Sequence, residues 1–172
     1  MLPVLFRYGY RGPVYCTPPT RDLMTLLQMD YIKVSQAEGA DPPYSKADIQ
    51  ECIKHVVDIR WGDKTDIAPD VKITLENAGH ILGSSSVYMQ IGEGNSEHRL
   101  LFSGDIKYER SWLFDAATVR FQKVETLVIE STYGGAQDFQ PTRADATQEL
   151  QDLVKLALSR GGKIFCPVFA VG

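Results

Sequence analysis

The apolar residues of this chain change their spacing part-way along, and that change limits the folds open to it. Up to about residue 57 they recur at the helical period, and from Asp70 onward they alternate with polar residues. Thr17-Pro18-Pro19 starts a helix with Thr17 as N-cap and Pro18 at the first position, and Leu23, Met24, Leu26, Leu27 and Ile32 give it a broad apolar side. Gly39 to Tyr44 reads as a turn with two prolines. Ser45-Lys46-Ala47-Asp48 resembles a capping box and opens a second helix, to roughly Val57, with Ile49, Cys52, Ile53, Val56 and Val57 in helical register. Val71, Ile73 and Leu75 then alternate as a strand does, and Val87, Met89 and Ile91 repeat the pattern. Gly92 to His98 is a polar hairpin loop. Val14-Tyr15-Cys16, Leu100-Leu101-Phe102 and Leu127-Val128-Ile129 read as buried strands. Pro141-Thr142 begins a long helix with Ala146, Leu150, Leu153, Val154 and Ala157 on one face. Gly161-Gly162 ends it, and Lys163 to Val168 is a last strand. Helices and strands in mixed order predict a layered α/β fold.

With 172 residues and 44% hydrophobic content there is material for a substantial core. The net charge is -4 and no run of five or six like charges occurs, which excludes a strongly basic nucleic-acid stripe. Any positive surface for a nucleic acid must be local or lie outside this sequence. Cys16, Cys52 and Cys166 are far apart, so a disulfide framework is not expected; the pattern fits a reducing compartment, with the thiols as small buried hydrophobes. No apolar run reaches the length of a membrane span, and Met1 to Phe6 is too short for a secretory leader, so a cytoplasmic protein is expected. Both ends look cut: the chain opens into an apolar stretch and closes at Phe169-Ala170-Val171-Gly172 after a strand pattern, as an internal piece of a longer protein would.

Three polar residues share one context, the end of an apolar strand beside small residues. They are His80 in Asn77-Ala78-Gly79-His80-Ile81-Leu82-Gly83-Ser84, Asp105 in Leu101-Phe102-Ser103-Gly104-Asp105, and Glu130 in Leu127-Val128-Ile129-Glu130. Such residues can project from a rigid sheet into a cleft, and imidazole with carboxylate suits a divalent metal. The plainer readings stand beside this one. His80 could be a hydrogen-bonded turn residue, Asp105 could cap its own backbone, and Glu130 could cap a turn through the amides of Thr132 or Tyr133. Spacings of 25 residues from His80 to Asp105 and 25 more to Glu130 are not a local metal motif. His55 falls in a helix and is expected to face solvent or a partner; His98 lies in a hairpin loop; neither is assigned a role.

The segments Ala78-Gly79-His80-Ile81-Leu82-Gly83-Ser84, Phe102-Ser103-Gly104-Asp105 and Ile129-Glu130-Ser131-Thr132-Tyr133-Gly134 resemble successive motifs of the β-CASP branch of the metallo-β-lactamase superfamily. The likeness is nearest to archaeal homologues of the cleavage and polyadenylation specificity factor nuclease subunit. Leu2-Pro3 to Thr17 looks like the segment after that family's His-x-His-x-Asp-His motif, and Gly162 to Gly172 like an early strand of the β-CASP insert. The resemblance implies residues 1–132 as a partial metallo-β-lactamase αβ/βα sandwich and 133–172 as the beginning of a β-CASP domain. It implies His80 as a ligand to one zinc, Asp105 as a catalytic residue that bridges two, and Glu130 as a catalytic residue that binds no metal, pairs with a histidine of the insert and supports proton delivery to the leaving oxygen. The implied reaction is zinc-dependent hydrolysis of RNA phosphodiesters, endonucleolytic, exonucleolytic or both. Two zincs about 3.5–4 Å apart activate a water and clamp the attacking and leaving oxygens in such enzymes. The implied partners are RNA and further copies of the parent chain, with no membrane.

The family's His-x-His-x-Asp-His motif, its earlier strand-end aspartate and the later histidines of the insert are absent from this sequence. A catalytic zinc normally takes three protein ligands, so the isolated chain is expected to bind zinc weakly or not at all and to be inactive. Uncovered strand edges would make it poorly soluble or oligomeric. A non-catalytic RNA-processing scaffold of the same fold and a superfamily hydrolase of small-molecule esters or thiolesters are the alternatives. The Glu130-Ser131-Thr132-Tyr133-Gly134 segment, with the helix and strand after it, favours nucleic acid over the second.

Overall fold

The computed structural model describes residues 1–168. Cα packing divides the chain into two units, Met1–Glu130 and a second from Ser131 onward. The architecture is mixed α/β with two sheets.

The first unit opens with a short helix α1 (Leu2–Arg7), with Pro3 in its first turn, then strand β1 (Val14–Cys16) and the long helix α2 (Pro18–Ala37). Helix α3 (Lys46–Lys54) carries the capping box as expected: the Ser45 hydroxyl accepts from the Asp48 amide at 3.3 Å, and the Asp48 carboxylate accepts from the Ser45 amide at 2.7 Å. This helix stops earlier than its apolar spacing predicts. Val56–Asp58 is strand β2, paired in parallel with β1 in the register Val14↔Val56. Two adjacent β-branched residues fit a ladder better than a helix end, and the free edge of β1 supplies the partner. Ile32 of α2, Tyr44 of the turn and Ile49 of α3 form one buried cluster, with Val4, Met29 and Ile53 against it. His55, at the end of α3, is half-buried rather than free. Its ring lies 5.1 Å from that of Phe6, and its Nδ1 is 2.9 Å from the Glu51 carbonyl.

Five strands follow: β3 (Lys64–Ala68), β4 (Val71–Asn77), β5 (Ser85–Ile91), β6 (His98–Phe102) and β7 (Thr126–Val128). They form one sheet in the order β3-β4-β5-β6-β7, antiparallel except for the parallel β6–β7 pair. Ile73 and Leu75 of β4 bury with Ile59, and Tyr15, Ile67, Val87 and Met89 pack around them, so β1 and the sheet share a core. Two expectations of burial fail at the far edge. Leu127 is 54% and Ile129 59% exposed, and Phe102 is also exposed, because β7 is an edge strand with no layer over it among the described residues. The hairpin loop 92–97 contains a single 3-10 turn, Gly94–Ser96.

In the second unit helix α4 (Arg143–Ser159) is capped by Thr142, whose hydroxyl accepts from the Asp145 amide at 3.2 Å. Gly161 follows in the left-handed conformation (φ +65°). None of its residues is buried, and its apolar positions Leu150 and Leu153 are exposed, as are Leu26 and Leu27 of α2. Residues 163–168, expected as a strand, pair with nothing among the described residues; a strand exists by its ladder, and no other strand belongs to this unit. Residues 169–172, the end of that expected strand, lie outside the described residues. Cys16 and Cys52 are buried as expected, but Cys166 is exposed. Among the described residues no helix is long and apolar enough to cross a membrane.

Candidate metal-binding site

Sheet topology brings the three strand-end residues together. β4 and β6 both run antiparallel to β5, and β7 runs parallel to β6, so β4, β6 and β7 end at the same edge. His80 follows β4, Asp105 follows β6 and Glu130 follows β7. Two intervals of 25 residues in sequence thus become neighbouring loops at one sheet edge.

The His80 loop is tied down at nearly every residue. The Asn77 side chain accepts from the Gly79 amide at 2.9 Å, and its own amide donates to the Ala116 carbonyl at 3.1 Å. The Ser84 hydroxyl accepts from the amides of His80 and Ile81, each at 3.1 Å. Gly79 has φ +69°, and a Cβ there would stand 2.5 Å from the Lys107 carbonyl oxygen. The tight turn therefore needs glycine twice over, for its dihedral and for its space.

The two acidic loops share a serine. Ser103 is buried; its carbonyl accepts from the Ser86 hydroxyl at 2.8 Å, and its own hydroxyl accepts from the Glu130 amide at 3.2 Å. The Glu130 carboxylate accepts from the amide of Ile106 at 3.0 Å, one residue beyond Asp105. Glu130 thus braces the backbone that carries Asp105. The serines were not singled out in the sequence. Their signal there is weak but physical: a small hydroxyl beside glycine at a strand end is placed to bond nearby backbone.

His80 Nε2 and Asp105 Oδ2 stand 3.8 Å apart, with the side chains 45% and 70% exposed. Two ligands of one tetrahedral zinc at ordinary bond lengths stand roughly 3.4 Å apart. The pair fits zinc in donor type and nearly in spacing, as two ligands. Among the described residues no group of three or more His, Cys, Asp or Glu side chains is placed to hold a metal. Neither His55, against Phe6, nor His98, whose Nε2 is 2.9 Å from the Thr126 hydroxyl, belongs to this edge cluster.

No protein-family model matches the chain. Over 172 residues, all of this chain, it is 48% identical to a Lokiarchaeum protein named transcription termination factor FttA. Over 171 residues, 99% of this chain, it is 52% identical to proteins of the same name from Methanothermobacter thermautotrophicus and Methanocaldococcus jannaschii. Along its whole length, then, the chain is similar to one part of proteins named FttA. That agrees with the β-CASP metallo-β-lactamase resemblance carried by the His80, Asp105 and Glu130 motifs. The chain spans about a quarter of the length of these FttA relatives, 27% of each.

Proposed function

We propose that this chain is part of a zinc-dependent ribonuclease of the RNA 3′-end processing or transcription-termination type. Residues 1–132 would belong to its metallo-β-lactamase sandwich, and 133–172 would begin its β-CASP domain. The observation that carries the reading is the 3.8 Å approach of His80 Nε2 to Asp105 Oδ2 at a sheet edge where Glu130 also ends a strand. The names of the FttA relatives support the termination side of it.

Electrostatics supports a metal here. RNA carries one negative charge per phosphate, and this chain is itself acidic, with net charge -4. A bare Asp105 carboxylate would repel the substrate, and a cation bound there would offset that repulsion. His80 and Asp105 would hold that zinc, Asp105 also reaching a second. Zinc, when bound, supplies a Lewis acid and a water of lowered pKa. The chain's own residues fix position: Ser84 orients the His80 backbone, Ser103 joins the two acidic loops, and Glu130 holds the Ile106 amide beside Asp105. With two ligands in place of three, the isolated chain binds zinc weakly.

The test is Asp105→Ala in the full-length protein, assayed for cleavage of single-stranded RNA and, separately, for RNA binding. Cleavage is lost and binding kept if the reading is right. Cleavage at the wild-type rate would refute the assignment of Asp105. A wild-type protein that binds RNA without cutting it, at saturating zinc, would establish the scaffold instead.

A further inference from the structure

Thr17 occupies the N-cap position of α2 but does not cap it, since its side chain makes no bond to the helix's free amides. An N-cap threonine ordinarily bonds an amide of the first turn, and losing that bond is a cost the fold accepts only for another gain. The Thr17 hydroxyl, on a residue only 4% exposed, donates to the Gly83 carbonyl at 2.8 Å. Thr20 Oγ1 approaches the same oxygen at 3.0 Å and Thr17 Oγ1 at 2.9 Å. Ser85 Oγ reaches it at 3.2 Å and is itself held by the Trp61 indole N–H at 2.8 Å. Three hydroxyls thus converge on one carbonyl that has two lone pairs. Gly83 is buried at φ +79°, and a Cβ on it would stand 2.9 Å from Thr17 Oγ1, the Thr20 amide nitrogen and Thr20 Oγ1.

That carbonyl belongs to the loop that carries His80. Ser84, the next residue, accepts the His80 and Ile81 amides on its hydroxyl, and its own amide donates to the Ile81 carbonyl at 3.0 Å. Whatever holds Gly83 in place therefore holds the backbone under the imidazole. We propose that Thr17 and Thr20 are positioning residues for His80: the start of α2 gives up its cap to clamp the His80 loop onto the sheet edge. This rests on the reading of His80 as a metal ligand. Metal sites need ligands held to about 0.5 Å, and supporting hydrogen bonds of this kind change affinity about 10- to 100-fold.

The experiment compares Thr17→Val/Thr20→Val with Thr17→Ser/Thr20→Ser. In the metal-free chain, the three histidines give six ring C–H resonances by NMR, two from each imidazole. The valine pair is expected to broaden or split the His80 signal, leave those of His55 and His98 in place, and leave helix content unchanged because no cap is lost. In the full-length protein zinc affinity falls about 10-fold. The serine pair restores both. An unmoved His80 signal in the folded valine variant overturns the clamp, as does equal movement of all three histidines or failure of the serine pair to restore. If His80→Ala leaves zinc affinity at the wild-type level, the ligand reading fails, and the metal-free His80 signal still decides the clamp.

Discussion

Replacing Gly79 by alanine tests how the His80 turn is held. Its φ of +69° costs a residue with a Cβ about 1–2 kcal/mol. Space adds more, because the new Cβ would stand 2.5 Å from the Lys107 oxygen, 2.7 Å from the Ala117 nitrogen and 2.9 Å from the Asp115 oxygen, all of them backbone. Comfortable contact is about 3.5 Å, so the 107–117 loop must retreat by roughly 1 Å. That displacement acts on the bonds from Lys107 N–H to the Ala78 carbonyl (2.8 Å) and Thr118 N–H to the Asn77 carbonyl (2.8 Å). A bond stretched that far is broken, at about 1–3 kcal/mol for a buried group. With one such bond broken the total is about 2–5 kcal/mol. Gly39→Ala is the control: its φ is +73°, yet nothing lies within 4 Å of the added Cβ. It should cost only the dihedral term, about 1–2 kcal/mol. The dihedral term cancels, so in urea, with a slope of about 2 kcal/mol per molar, the Gly79 variant should unfold about 0.5–1.5 M below the Gly39 variant. Midpoints equal within about 0.3 M would show that the crowding at Gly79 has no energetic weight.

Ser45→Ala removes a formed capping box and should destabilise the chain by about 1 kcal/mol in urea titration; no change would mean that water caps α3 equally well. The Cys16 thiol is pushed up to about 11, first by burial and then by the nearby Asp58 carboxylate. Its folded pKa lies above the unfolded value of 9.0, so its contribution to stability is complete below pH 9 and is lost as pH rises through about 11. Stability should fall across that window, and Cys16→Ala should lessen the fall; an identical pH profile would count against the burial.

Local chemistry was the legible part of this protein. The Ser45–Asp48 box, the alternation in Val71–Leu75 and the glycine stop after α4 need only a few neighbouring residues, and each formed as expected. What failed depends on distant partners. Val56 and Val57 fit the helical period of α3, but the edge of β1, some 40 residues earlier, takes them into a sheet. Lys64–Ala68 is too polar to read as a strand and forms one at the edge, against β4. Leu127 and Ile129 are apolar enough to predict burial, yet exposure depends on which layers surround a strand, and that is not a local property. For the site, sequence could nominate His80 and Asp105 but not join them. Their approach follows from the strand order, which places β4, β6 and β7 in one direction.

The same strand order separates the two ends of the five-stranded sheet for anyone who wishes to engineer it. Strand β5 starts beside the His80 loop and finishes at Ile91, and seven residues at about 3.3 Å each span roughly 20 Å. The Gly94–Ser96 turn lies past that far end, exposed on every residue. A fluorophore, an affinity peptide or a new chain terminus placed there would sit well away from the imidazole and carboxylates, so the protein can be labelled or tethered by its tail end while its working edge stays as built.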